Sequence, residues 1–178
     1  MSLVDWTLET IAENFELAHS SGLYGNGLYG DGLYYAEDFE SAPIRRVNRD
    51  QSNVLEDDRR QRGGELQESN FVGAALVSRS TTPLDTAYDH RVEVVIGVRV
   101  EGLHVDEFGH VPHDAHFNAL VRAIQAALLE ERAYPDVDAA DPADYHTLLV
   151  ENTQHASRDH RDYFRADFDV RLVGHETL

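Results

Sequence analysis

Apolar and polar residues alternate with a period of two in several parts of the chain. The clearest run covers residues 91–101. Its apolar positions are Val92, Val94, Ile96, Val98 and Val100, and the intervening positions are Arg91, Glu93, Val95, Gly97, Arg99 and Glu101. A period of two is typical of a β-strand with one buried face. The pattern therefore predicts a half-buried strand.

Other segments also read as strands. Residues 163–173 repeat the alternation, with Phe164, Ala166, Phe168, Val170 and Leu172 on one face. The apolar run 71–77 predicts a buried strand, residues 145–151 predict another, and residues 44–47 predict one short strand. A turn at 83–88 joins two of them.

Two segments show helical periodicity instead. Residues 3–19 carry an apolar stripe, and Ser2 can cap their N-terminus. A second helix of roughly 20 residues begins at Asp114 and ends before Pro135. Its stripe is Phe117, Leu120, Val121, Ile124 and Leu128.

The order of these elements predicts an α+β fold. Consecutive strands joined by short turns pair antiparallel. We expect one domain, 1–178, with an antiparallel or mixed sheet of about four strands and helices on one face. The sheet and its helix form the core, 71–174, and residues 20–70 form a long irregular arm.

The arm has an unusual composition. Gly-Leu-Tyr occurs three times at a period of five, beginning at Gly22, Gly27 and Gly32. Two interpretations stay open: a mobile loop with exposed tyrosines, or an ordered stack of turns. Residues 40–70 hold six of the 15 basic residues, all of them arginines, which pair either with neighbouring carboxylates or with a partner.

The net charge indicates the ionic conditions in which the protein works. The formal net charge is −18, from 33 acidic and 15 basic residues, and no lysine occurs. At about 1 M salt the Debye length is about 3 Å, so repulsion between carboxylates is largely screened. The composition favours a protein of molar salt over an ordinary acidic protein. It argues against a general nucleic-acid-binding surface.

A histidine-rich loop is a weak candidate for zinc or nickel binding. It holds His104, His110, His113 and His116. None of these residues forms the i, i+4 pair of the usual zinc-protease motif, so the alternative is a solvated loop before a helix. We expect no catalytic residue, metal or cofactor.

Ser157, His155, His160 and Asp159 lie in one short turn, but the glycines of a nucleophile elbow are missing. The glycine-rich stretch lacks the lysine of a phosphate-binding loop. No apolar run approaches the roughly 20 residues that span a bilayer, and no N-terminal secretory signal is predicted, so we expect no membrane partner.

Three segments carry a resemblance: YDHRVEVVIGVRVEGLH at 88–104, FNALVRAIQAALLEERAYPDV at 117–137 and RDYFRADFDVRLVGHE at 161–176. They resemble haloarchaeal provirus proteins. The order strand, helix, paired strands over 71–178 resembles tail terminators, or tail-completion proteins, of tailed viruses. The arm has no counterpart in that resemblance.

The resemblance implies a structural virion protein at the head–tail joint. Such proteins form a ring, usually a hexamer, that caps the tail tube, stops its polymerisation and docks to the head-side connector. The partners would be further copies of the chain, the tube protein and the connector (stopper) protein. Genomic DNA would pass through the lumen without specific binding. Assembly would take place in the high-salt host cytoplasm.

The sequence leaves two alternative functions open. The first is another neck component, a head-closure stopper or adaptor, which would contact the portal side. The second is a haloarchaeal cytosolic metal-dependent enzyme that uses the histidine-rich loop.

Residues 22–62 are expected to carry the assembly contacts, because tyrosine and arginine are enriched at interface hot spots. The interface candidates are Tyr24, Tyr29, Tyr34, Arg45, Arg46, Arg59, Arg60 and Arg62. The alternative is an arm that folds back on its own subunit.

The charge generates a first prediction. A net charge of −18 on 20.0 kDa repels itself at low ionic strength, and salt screens that repulsion. Melting temperatures measured from about 0.1 M to 3 M KCl should rise steeply. An unchanged melting temperature would contradict adaptation to molar salt.

Overall fold

A computed structural model of the chain describes residues 2–14, 28–29, 33–34, 44–48, 70–85, 88–103, 114–130, 134–136, 141–157 and 163–177. The elements in chain order are α1 (Leu3–Asn14), β1 (Leu28–Tyr29), β2 (Leu33–Tyr34), β3 (Ile44–Asn48), β4 (Asn70–Pro83), β5 (Asp89–Leu103), α2 (Asp114–Leu129), β6 (Asp144–His155) and β7 (Tyr163–Thr177). The predicted α+β class is confirmed.

The main sheet has the strand order β3-β4-β5-β7-β6. Its four long strands are antiparallel, as predicted for the pairs β4–β5 and β6–β7. The pairing of β5 with β7 places the two most regularly alternating strands at the centre. The short strand β3 runs parallel to the beginning of β4, so the complete sheet is mixed.

Both helices cover the same face of this sheet. The apolar positions of the two central strands form one buried cluster with Leu8 and Ile11 of α1 and with the stripe of α2. Ring stacking of Phe117 on Phe164 joins α2 to β7, with centroids 5.3 Å apart. The predicted packing of Phe168 and Leu172 in one core with Ile124 and Leu128 is confirmed.

The helix ends follow local chemistry. Ser2 caps α1 as predicted, since its Oγ accepts a hydrogen bond from the Asp5 N–H at 3.1 Å. Helix α2 ends at Leu129, earlier than predicted. Glu130 and Glu131 follow it, and carboxylates are unfavourable at the negative end of a helix dipole.

Two expectations about β4 and β5 need correction. The run 71–77 was expected to be buried throughout, but Leu76 and Val77 are exposed, at the point where the β4–β5 register shifts between Leu76 and Ser78. The polar face of β5 was expected to be exposed, but Arg99 and Glu101 keep only 4 % and 2 % of their surface. Strand β5 is therefore buried on both faces towards its C-terminal end.

Strand β6 pairs irregularly with β7 at two places. Gly174 of β7 lies so close to β6 that a Cβ there would collide with the backbone carbonyl of Asp144. Further along, Asn152 has a φ of 55°, which asparagine tolerates better than most residues, and its side-chain amide donates to Asp169 at 2.7 Å. These features bend β6 without removing it from the sheet.

The core position of Phe168 generates a second prediction. Phe168→Ala should lower the free energy of unfolding by about 3–5 kcal/mol, because truncation leaves a cavity beneath α2. Leu129→Ala, at an exposed leucine at the end of α2, is the control and should cost less than about 1 kcal/mol. Urea denaturation in molar KCl measures both. A loss below about 1 kcal/mol for Phe168→Ala would contradict this register.

Candidate functional site: two sheet edges and a cleft

The sheet face opposite the helices, here called the free face, carries ion pairs between strands. Arg99 of β5 donates through Nε to Asp167 of β7 at 2.7 Å, and Arg165 of β7 contacts the other oxygen of the same carboxylate at 2.8 Å. Because Arg99 is almost fully buried, its charge is less screened by salt than that of an exposed pair. This cluster ties the two central strands together.

A second cluster extends the pairing to three strands. Nε of Arg171 on β7 lies 3.3 Å from Glu93 of β5 and 2.8 Å from Glu151 of β6. Its N–H is not aimed at either oxygen, so these contacts are ion pairs without hydrogen-bond geometry. The clusters on the free face have a structural role, since each arginine is already engaged by a carboxylate.

One edge of the sheet lacks a strand partner over much of its length. Strand β3 covers β4 only from Asn70 to Ala74, so β4 has no described neighbour on that side from residue 75 to residue 83. We call residues 75–83 the open edge. Val77 keeps 59 % of its surface there, and β4 contains no acidic residue although the chain has 33. The open edge holds one charged residue, Arg79, and its apolar beginning, residues 75–77, is suited to pairing with another strand.

A small hairpin lies on the same side of the molecule. Strands β1 and β2, which belong to the second and third Gly-Leu-Tyr repeats, pair antiparallel with Leu28 opposite Tyr34 and Tyr29 opposite Leu33. Strand β1 contacts α1, and β2 contacts β3. The second and third repeats therefore contribute a pair of short strands, here called the β1–β2 hairpin, at the β3 side of the sheet, and the choice between the two interpretations of the repeats stays open.

The opposite edge is strand β6, beside which a cleft of about 480 Å³ opens between β6 and α2. Its described lining is Phe117, Asn118, Val121, Arg122, Gln125, Thr153, His155 and Ser157. Phe117 and Val121 are buried and form an apolar floor, while polar side chains form the rim. The shape and chemistry suit an amphipathic side chain such as tyrosine.

Hydrogen bonds connect the elements that line this cleft. Gln125 donates to the hydroxyl of Thr153 at 2.8 Å, which joins α2 to β6. Ser157 Oγ accepts from the backbone N–H of Arg165 at 3.1 Å and donates to its carbonyl at 3.3 Å. Ser157 therefore ties the end of β6 to β7.

A polar cluster closes the other end of the covered face. Arg79 of β4 contacts Asp141 at 3.0 Å and Glu176 of β7 at 3.1 Å. Asp141 also accepts from the Tyr145 hydroxyl at 2.9 Å and from the Ala143 N–H at 3.3 Å. The cluster ties β4, the start of β6 and the end of β7 together.

The cluster shifts the ionisation of Tyr145. Burial raises the pKa of Tyr145 well above its ordinary value of 10, and the hydrogen bond to Asp141 and the negative charge of that carboxylate raise it further. An ionised Tyr145 would lie against Asp141, so the folded protein holds the phenolic proton tightly.

The predicted interface residues fall in different parts of the chain. Tyr29 and Tyr34 lie on the paired strands β1 and β2, and Arg45 and Arg46 lie on β3, next to Phe71 and Val72 of β4. The remaining candidates, Tyr24, Arg59, Arg60 and Arg62, lie outside the described residues. Their role in assembly stays a prediction.

The histidine-rich loop also stays a prediction. His104, His110 and His113 lie outside the described residues, and His116 lies in α2 with a side chain that is not described. Within the described part of the chain, no group of three or more potential ligands could hold a metal ion. Neither described helix is long and apolar enough to cross a membrane.

Sequence reasoning missed three features. The cleft joins residues of α2 to residues almost 40 positions later, and the open edge depends on how far β3 reaches along β4. Arg79 of β4 meets Asp141, which lies 62 positions later and just before β6, only in the folded sheet. The one visible signal was the absence of acidic residues in β4.

A comparison with models of known protein families finds no match for this chain, and a comparison with curated proteins finds none either.

The raised pKa of Tyr145 generates a third prediction. Near pH 8, Tyr145→Phe should cost about 1–3 kcal/mol, because a hydrogen bond to a buried carboxylate is lost. Above pH 10 the unfolded chain ionises this tyrosine while the folded chain does not. That contribution to wild-type stability is complete below pH 10 and declines above it.

The free-energy difference between wild type and Tyr145→Phe should therefore shrink between pH 8 and pH 11. Urea titrations in molar KCl measure it. Tyr88→Phe, at an exposed tyrosine beside β5, controls for the loss of a phenol. A constant difference would contradict the raised pKa.

Proposed function

We propose that this chain is a structural virion protein of a haloarchaeal tailed virus. It associates head to tail into a ring that caps the tail tube, stops its polymerisation and docks to the head-side connector. The proposal rests on the resemblance over 71–178 and on one structural observation: within the described residues, the sheet ends in two different open edges.

Two different edges permit a particular kind of association. The open edge of β4 on one copy can meet β6 of the next copy, and a head-to-tail contact of this kind generates a ring when the rotation closes. Identical edges would favour closed dimers instead. Each added strand pair supplies backbone hydrogen bonds, as in strand addition between a peptide and a sheet.

The open edge also suits the ionic conditions. Contacts between exposed charges weaken in molar salt, whereas burial of apolar surface does not. Leu76 and Val77 are exposed on β4, and Leu149 is exposed on β6. An interface that buries these side chains would form in the environment that the composition favours.

A ring built in this way has two unlike ends. One end would contact the last ring of tube protein, and the other would contact the connector. Growth stops because the second end does not bind further tube protein. The activity is therefore geometric.

Electron microscopy of the protein in molar KCl, alone and with purified tube protein, tests the proposal. Closed rings that bind tube ends and arrest tube growth are the expected result. A strict monomer that never joins a tube would refute it. Cross-links to the portal side alone would favour the stopper or adaptor.

The open edge generates a fourth prediction. Val77→Asp should abolish rings, because a carboxylate on an edge strand opposes strand addition. The fold should persist, since the Val77 side chain is exposed. Leu129→Asp adds the same charge at an exposed leucine of α2 and is the control.

Light scattering and circular dichroism in molar KCl separate the outcomes. The expected result is a folded monomer for Val77→Asp and an intact ring for Leu129→Asp. Intact rings in both variants would show that the open edge is not the interface.

A further inference from the structure

The β1–β2 hairpin and the cleft lie at opposite edges of one sheet. The hairpin contacts α1 and β3, whereas the cleft lies between α2 and β6. Strands β3 and β6 are the first and last of five strands, so they are separated by about 19 Å at a spacing of about 4.8 Å. In a copy whose hairpin stays beside β3, the described hairpin residues 28–29 and 33–34 therefore lie far from its own cleft.

The described lining of the cleft contains no acidic residue. The chain has about two acidic residues for each arginine, yet no Asp or Glu occurs among the described residues that line the cleft. Arg122 is exposed at the rim, beside Asn118 and Gln125. The cleft thus offers a positive charge and amide groups above an aromatic floor.

The hairpin and the residues after it have the opposite character. Residues 28–40 contain no basic residue and four acidic ones, Asp31, Glu37, Asp38 and Glu40. The same segment contains the aromatic residues Tyr29, Tyr34, Tyr35 and Phe39. Carboxylates match a guanidinium, and aromatic rings match the floor formed by Phe117.

We propose that residues 28–40 of one copy dock into the cleft of the next copy. The inference rests on the proposed ring, and it names a second contact between neighbouring subunits besides the open edge. Because the donor segment and the receptor cleft lie at opposite edges, each copy gives its segment on one side and receives a segment on the other. This direction is that of head-to-tail pairing between β4 and β6.

The proposed contact has a charged part and an aromatic part. Arg122 would pair with a carboxylate of the 37–40 stretch, and an aromatic side chain of the segment would pack on Phe117 and Val121. A carboxylate of one copy would thereby meet one of the 15 arginines of the other copy. Because part of this contact is aromatic, molar salt weakens it less than an ion pair alone.

Disulfide trapping tests the contact, since the chain has no cysteine. Ala36→Cys places a thiol in the donor segment without removing a carboxylate, and Asn118→Cys places one on the cleft rim. The double variant, oxidised in molar KCl, should give a ladder of covalent oligomers on non-reducing gels. Mixing the two single variants should give a heterodimer.

Matched controls separate docking from chance collisions. Ala126→Cys is an exposed position of α2 outside the described cleft lining, and its pairing with Ala36→Cys should trap little. Adding Arg122→Glu to the trapping variant should lower the yield about tenfold, the effect of losing about 1.4 kcal/mol of binding. Arg91→Glu reverses an exposed arginine of β5 and should leave the yield unchanged.

The outcomes also distinguish this contact from the ring itself. A covalent monomer of altered mobility would show that the segment occupies its own cleft, and it would overturn the inference. Rings of wild-type protein without trapping at Asn118 would overturn the inference while the proposed function stands. A wild-type protein that remains monomeric in molar KCl would overturn both.

Discussion

Burial of a single face of the sheet beneath two helices is the constraint on which the other features of this protein depend. Because side chains alternate along a strand, covering one face fixes the register of β5 and β7, and a shift of one residue would expose the whole apolar set. The opposite face must then be compatible with water or with another surface. The sequence meets that requirement with arginines and carboxylates, which pair across the strands.

Polar interactions refine this arrangement rather than create it. On the free face, Arg99 and Arg171 link neighbouring strands to Asp167, Glu93 and Glu151. On the covered face, the register shift in β4 moves Arg79 to the position opposite Val94, the same side as the core. Arg79 remains largely exposed there, and its guanidinium pairs with Asp141 and Glu176. The register shift in β4 therefore places Arg79 where the ion pairs with Asp141 and Glu176 can form.

The proposed assembly follows from what the intramolecular packing leaves unused. The helices cover the apolar face and the ion pairs occupy the free face. Among the described residues, the surfaces left for association are the sheet edges, the exposed side chains of Leu84 and Tyr88, and the cleft beside β6. A strongly acidic surface opposes association at low salt, but molar salt screens it. In the proposed assembly, contacts based on backbone pairing, apolar side chains and aromatic rings would determine which copies meet and in which direction.

The sequence by itself determined the class of fold and most of its elements, because a period of two in 91–101 and 163–173 and a period of 3.6 in α1 and α2 reflect local geometry and one-sided burial. It also determined the charge state and hence the expected response to salt. Only the tertiary structure decided that β5 pairs with β7, that β3 protects just five residues of β4, that Arg99 and Glu101 are buried, and that α2 and the end of β6 enclose a cleft. Those features depend on which distant segments become neighbours. A periodic pattern indicates that one face of an element is buried, but it does not indicate which other element covers that face.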